Sequence, residues 1–276
     1  MNRAIECAQL VSAAYAIPPV NLANSAGNAI AAGGKAYTVI TTIYAFDLAT
    51  DINPGRGINP VSIGLICEAN GTGDVVIAIR GTEGIDEWIT DAEFLLVTCP
   101  FLTGAGLTED GFTAMYNSLR IGAAAGSPSV VSSMATLPFN QPVSSVTICG
   151  HSMGGALVTL LALDMAANTP FKDPTVYTYA SPRTGDPSFA TIYNKVVKNT
   201  FRVTNRLDLV PKLPFTPPYE HVDLLYELIP IQLLPLPPKI LLKPTIACQH
   251  VIESYLHLLS LVSGGPVIPL GKTCTP

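Results

Sequence analysis

The run Val146-Thr147-Ile148-Cys149-Gly150-His151-Ser152-Met153-Gly154-Gly155-Ala156-Leu157 constrains this chain more than any other feature. An apolar, β-branched stretch feeds directly into Gly-x-Ser-x-Gly, and an apolar helical stretch leaves it. A strand that becomes a helix within five residues must pass through a sharp, strained turn, and glycines beside the turn let the two elements pass closely. The pattern calls for strands covered by helices. It also lifts the Ser152 hydroxyl to a helix N-terminus, where backbone N–H groups favour negative charge. The five residues alone are weak evidence, since the pattern arises by chance in roughly one chain in ten of this length. A serine that merely caps the helix is the plainer reading. No Gly-Lys-Ser/Thr occurs after it, so the turn is not a phosphate loop.

The flanking sequence extends this picture. Residues 37–46, 61–67 and 75–80 read as strands, and Asn70-Gly71-Thr72-Gly73 between the last two is a hairpin turn, which predicts an antiparallel pair. Further on the pattern alternates: helix 112–125, strand 144–149, a helix apolar all round at 156–167, strand 176–180, helix 188–197 and strand 201–203. Strands alternating with helices imply parallel crossovers. The expected fold class is α/β, with a mostly parallel central sheet, an antiparallel N-terminal pair and helices on both faces. No repeat or polar linker divides residues 1–276, so a single domain is expected. The proline-dense, apolar stretch 211–244 reads as a packed irregular excursion rather than a linker.

Composition excludes several classes. With a net charge of −5 and 13% charged residues, the chain carries no basic footprint for nucleic acid. The N-terminal stretch resembles a signal peptide superficially, but Glu6 and Gln9 interrupt it. Ile5, Ala8, Leu10, Ala13 and Tyr15 share a helix face that Pro18 and Pro19 end, so a folded helix is expected. The greasiest segment, 224–242, is broken by four prolines, and no transmembrane segment is expected. None of the six cysteines forms a CxxC pair, so neither a metal nor a cofactor is expected. The thiols read as mostly free and the chain as cytoplasmic, the alternative being export with an atypical or removed signal.

A serine nucleophile needs a base, and the base an orienting acid. Of four histidines, His151 adjoins Ser152 and must point elsewhere, and His257 lies within the last helix. His221 and His250 both satisfy the order serine, acid, histidine. His250, at the entrance to a helix over 251–261, is favoured; His221 beside Asp223 stays a candidate. For the acid, Asp208 falls just past a strand end, where the reactive residues of open α/β sheets collect. Asp186 and Asp223 are rivals, although Asp186 suits a turn.

Taken together, these segments resemble the class 3 lipases, the family of the fungal triacylglycerol lipases with plant and bacterial members. Ile77-Ala78-Ile79-Arg80-Gly81-Thr82, Asp86-Glu87-Trp88-Ile89-Thr90-Asp91, the elbow at 150–155, Ala180-Ser181-Pro182-Arg183-Thr184-Gly185-Asp186-Pro187, Asn205-Arg206-Leu207-Asp208-Leu209-Val210-Pro211, and His250 with Tyr255 follow in family order. The resemblance implies the α/β-hydrolase fold and a carboxylic-ester hydrolase acting on acylglycerols or other fatty-acyl esters, with a lipid–water interface as a candidate place of action. It implies Ser152 as nucleophile, Asp208 as acid and His250 as base, with Thr82 and Met153 as oxyanion donors. It also implies a lid at about 83–95 carrying Ile85, Trp88 and Ile89, and His221 beside the substrate channel. Arg80 and Asp91 are spaced to pair. An acyltransferase, phospholipase or aryl (feruloyl-type) esterase with the same triad, and a catalytically silent lipid-binding module, are the alternatives.

Overall fold

A computed structural model describes the chain except for residues 19–23, 47–59, 83–93, 125, 216–217, 223, 229–244, 272–273 and 275–276. Its described strands are β1 (Ala29–Ala32), β2 (Lys35–Ala45), β3 (Val61–Ala69), β4 (Asp74–Ile79), β5 (Leu96–Thr98), β6 (Leu107–Glu109), β7 (Arg120–Ile121), β8 (Ser145–His151), β9 (Thr175–Tyr179), β10 (Asn199–Asn205) and β11 (Leu225–Leu228). The helices are α1 (Asn2–Tyr15), α2 (Asp110–Asn117), the single turn α3 (Val130–Ser133), α4 (Met153–Asn168), α5 (Pro187–Val196), α6 (Ile246–His250) and α7 (Ile252–Ser263).

The main sheet runs β1-β2-β3-β4-β8-β9-β10-β11, with β7 on β2; β5 and β6 form a separate hairpin. The pairings from β1 to β4 are antiparallel and those from β4 to β11 parallel. The antiparallel pair read from the Asn-Gly turn is β3–β4, and the antiparallel part continues into β2 and β1. Two apolar layers cover the sheet. Ile77, Ile148, Leu157, Leu161 and Phe189 belong to one, with α2, α4 and α5. Cys7, Leu10, Val11, Cys149, Tyr179, Tyr255 and Leu259 belong to the other, with α1 and α7. Helix α4 is buried on nearly every side, as its lack of a polar face requires.

Several expectations shift. Helix α1 buries Ala4, Cys7, Ala8, Leu10, Val11 and Ala14, whereas Ile5, Ala13 and Tyr15 are only half-buried. The face rotates because Glu6, which looked like an interruption, is itself buried in an ionic network. Arg3 reaches Glu6 at 2.7 Å, Asp74 at 2.8 Å, Thr147 at 2.8 Å and Tyr37 at 2.9 Å. The 112–125 helix is shorter than expected: α2 ends at Asn117, and Arg120–Ile121 pairs with β2 instead. Inside the proline-dense stretch, Leu225–Leu228 joins the sheet beside β10. Four cysteines, Cys7, Cys67, Cys99 and Cys149, are free and buried, while Cys248 and Cys274 form a disulfide. Burial pushes the Cys67 thiol up to about 12, which keeps it protonated and unreactive.

Candidate active site

The site lies at the C-terminal ends of β4, β8 and β10. Ser152 sits between β8 and α4 with φ 57° and ψ −127°, a backbone region that costs a non-glycine residue about 1–3 kcal/mol. Its N–H is held by the Tyr179 carbonyl at 2.9 Å. Gly154 makes the turn possible, because a Cβ there would lie 2.4 Å from the Ile79 carbonyl oxygen. Gly81 does the same from the other side: its Cβ would lie 2.8 Å from that of Ser152. The end of β4, and with it Thr82, is thereby brought against the serine. Met153 is the first residue of α4 and is buried.

His250 ends the short helix α6 and stands directly before α7, the helix whose entrance was read from sequence. Its Nδ1 bonds Asp208 Oδ2 at 2.9 Å. A carboxylate can only accept here, so Nδ1 carries the hydrogen and, in the neutral ring, Nε2 keeps its lone pair. Asp208 also accepts from the Tyr255 hydroxyl at 2.8 Å and from the Val210 N–H at 3.0 Å. The Tyr255 oxygen in turn accepts the Asn205 N–H at 3.0 Å, and the Asn205 side-chain amide donates to the Gln249 carbonyl at 2.8 Å. The loop after β10 and the helix bearing His250 are therefore pinned to each other on both flanks of the Asp208–His250 bond. The disulfide adds a covalent tie two residues before His250.

Ser152, Asp208 and His250 are 1–3% exposed. Ser152 Oγ, His250 Nε2 and Thr82 Oγ1 are buried without a hydrogen-bond partner among the described residues. Unpaired polar atoms are costly in an apolar interior, roughly 1–3 kcal/mol each. A hydroxyl, a basic nitrogen and a second hydroxyl left open here can accommodate a carbonyl compound that supplies the missing contacts. The other buried unpartnered hydroxyls, Ser62 and Thr178, belong to strands β3 and β9.

The rival residues have other work. Asp186 caps α5, accepting from the Phe189 N–H at 2.8 Å and the Leu107 N–H at 3.0 Å. His221 donates to the Pro211 carbonyl at 2.5 Å, and burial, reinforced by Arg202, pushes it down to about 3. His257 packs against the Ile268 carbonyl at 2.7 Å. Asp223, Ile85, Trp88, Ile89 and Asp91 lie outside the described residues, as does the lid segment apart from Phe94 and Leu95. Arg80 donates to the Ser62 and Gly81 carbonyls at 3.1 and 2.8 Å. Among the described residues no group of three or more His, Cys, Asp or Glu could hold a metal ion. Two participants escaped sequence reasoning: Tyr15, and the direction of the His151 ring. A tyrosine in the last turn of the first helix carries no local sign of a partner 136 residues away.

With this geometry in view, the family model for lipase (class 3) matches residues 76–217, more than half the chain, from β4 through the elbow to the Asp208 loop. The chain belongs to the class 3 lipase family. Relatives include a secreted mono- and diacylglycerol lipase A of Penicillium cyclopium, 33% identical over 150 residues, which cover 54% of this chain and 46% of that one. Phospholipase A1-II 6 of Oryza sativa subsp. japonica is 32% identical over 178 residues, covering 56% and 43%. The chain thus spans about half the length of the curated relatives it matches. Among solved structures, the Rhizomucor miehei lipase propeptide complex aligns with TM-score 0.57 at 23% identity, over 82% of this chain and 65% of that one. MDLA of Penicillium cyclopium aligns with TM-score 0.57 at 24% identity, over 82% and 76%. These two likenesses establish the shared lipase-type α/β-hydrolase fold of this family member. None of its described helices is long and apolar enough to cross a membrane.

Proposed function

We propose that this class 3 lipase family member hydrolyses carboxylic esters of fatty acids through an acyl-enzyme. The observation that carries the reading is the buried 2.9 Å bond from His250 Nδ1 to Asp208, which leaves the Nε2 lone pair of the neutral ring free, together with the strained elbow that carries Ser152. Ser152 Oγ attacks the ester carbonyl carbon while His250 Nε2 takes its proton. The oxyanion is held by the backbone N–H groups of Thr82 and Met153, with the Thr82 hydroxyl adding a donor. As the carbonyl re-forms, the alcohol leaves with the proton from His250. Water, deprotonated by the same nitrogen, then releases the acid. Asp208 keeps the ring in the productive tautomer throughout.

The relatives act on mono- and diacylglycerols in one case and carry a phospholipase A1 name in the other, so glycerol-based acyl esters are the proposed substrates. Residues 83–95 serve as a lid in this reading. Its described end is anchored, since Phe94 and Leu95 offer their carbonyls to the Tyr219 hydroxyl at 2.9 and 3.1 Å. The Cys248–Cys274 bond and the secreted relatives support export from the cell rather than the cytoplasmic location expected from the thiols. Hydrolysis of a p-nitrophenyl ester, followed by diacylglycerol against phosphatidylcholine, tests the proposal. Ser152→Ala is expected to lower kcat by about 10⁴-fold or more; undiminished turnover sinks the reading.

A further inference from the structure

His151 lies next to the nucleophile in sequence but points away from it. Its Nε2 is 2.7 Å from the carbonyl oxygen of His250. A carbonyl can only accept, so Nε2 bears the hydrogen and the neutral ring offers Nδ1 as an acceptor. The Tyr15 hydroxyl, 2.8 Å from Nδ1, fills it as a donor. The Tyr15 oxygen then accepts the Gly81 N–H at 2.8 Å. All the bonds run one way: Gly81 N–H to Tyr15, Tyr15 O–H to His151, His151 N–H to the His250 carbonyl. A Cβ on Gly81 would lie 2.7 Å from the Tyr15 hydroxyl oxygen, so a glycine is what admits the phenol to the backbone there.

The rings along this path pack against one another. Tyr15 meets His151 edge-on at 5.7 Å between centroids, and the His151 and His250 rings lie 4.7 Å apart. The Arg80 guanidinium lies over the Tyr15 ring, 5.8 Å from its centroid. Burial, and then the neighbouring His250, hold His151 well below the usual histidine range. A neutral His151 also avoids a second positive charge beside His250 when that ring takes the nucleophile's proton. The path therefore joins the strand end that presents the oxyanion donor Thr82 to the backbone of the base, and it passes through neither reacting group.

We propose that Tyr15 and His151 are positioning residues that set the distance between the oxyanion donors and His250, so that their hydrogen bonds govern the chemical step rather than substrate binding. The proposal rests on the ester-hydrolase reading above. Misplacement of reacting groups by about 1 Å costs roughly 10²-fold in rate, and a phenol whose hydroxyl is removed lets both ends of the path drift.

The test uses Tyr15→Phe, His151→Gln and the double variant in the full chain. A fluorophosphonate titrates competent Ser152, and kcat and KM are measured per labelled site on a soluble p-nitrophenyl ester. Tyr15→Phe is expected to lower kcat about 10- to 100-fold at unchanged KM. In His151→Gln the amide can still donate to the His250 carbonyl but no longer reaches Tyr15, so it should show a similar loss. The double variant should be no worse than the worse single variant, because both break one path. Wild-type kcat per labelled site in Tyr15→Phe overturns the proposal, as do additive losses in the double variant. Should His151→Gln fail to fold, the kcat and KM of Tyr15→Phe decide alone. Wild-type protein that neither takes up the fluorophosphonate nor cleaves the ester overturns the hydrolase reading, and this proposal with it.

Discussion

Helix α1 spans the central strands from end to end, and its two ends have opposite character. At the start of β4 and β8, both terminal nitrogens of Arg3 are engaged, by Glu6, Asp74, Tyr37 and Thr147, and Lys35 approaches Glu6 at 3.1 Å. At the finish of the same strands, Tyr15 leads through His151 to a site where Ser152 Oγ, His250 Nε2 and Thr82 Oγ1 have no described partner. Both ends are polar and bring buried polar groups together. One end has its hydrogen-bonding capacity consumed internally; the other holds it open on a frame that is otherwise satisfied. Buried polarity alone does not distinguish the two ends; what differs is how much of the hydrogen-bonding capacity is filled from within the chain.

The comparison can be broken first with acid. His151 and His221, both on the catalytic side, are held neutral by burial, His221 down to about 3. Their folded pKa values lie below the unfolded value of about 6.5, so the unfolded chain takes up protons that the folded chain refuses, and stability falls as pH drops from about 6.5 towards 3. His221 should cost about 2 kcal/mol between pH 7.5 and 5.0, and His151 adds to the loss in the same direction. Glu109, raised by burial, works the other way as pH enters the carboxylate range. Urea unfolding at pH 7.5 and 5.0 checks this; an unchanged or rising midpoint contradicts it.

Arg3→Ala attacks the ionic end. It strands Glu6 and Asp74 and should cost on the order of 3 kcal/mol, the low end for a broken buried pair because the guanidinium is partly exposed. Turnover per titrated serine should stay within about twofold of wild type, since the change lies a full strand length from Ser152. A fall in kcat as large as that expected from Tyr15→Phe would erase the distinction between the ends.

The parts of this arrangement that were legible in sequence are those written in local order. The elbow is a contiguous strand, turn and helix, and Asp208 announces itself by following a strand. His250 needed more: position before a helix favoured it while order along the chain left His221 open, and what the structure adds is the bond from His250 Nδ1 to Asp208, where His221 bonds the Pro211 carbonyl instead. Strand β11 was hidden because Leu225 and Tyr226 are exposed and lack the alternation of a half-buried strand. Strand β1, Ala-Ile-Ala-Ala, has little β-branched character. The face of α1 was misjudged because Glu6 is buried by Lys35 and Tyr37 of β2 and by Arg3, whose other partners lie on β4 and β8, a tertiary fact that no helical period contains.

The torsions of Ser152 set two natural controls apart. Alanine at this position removes the oxygen and keeps the positive φ. Glycine removes the oxygen and occupies that region freely, so Ser152→Gly should unfold at a higher urea concentration than Ser152→Ala, by about 1 kcal/mol. Measured side by side, the two inert proteins would separate the strain from the chemistry. The residue that would best serve folding at position 152 is therefore one that cannot act as a nucleophile, and a single torsion keeps this fold short of its own stability maximum.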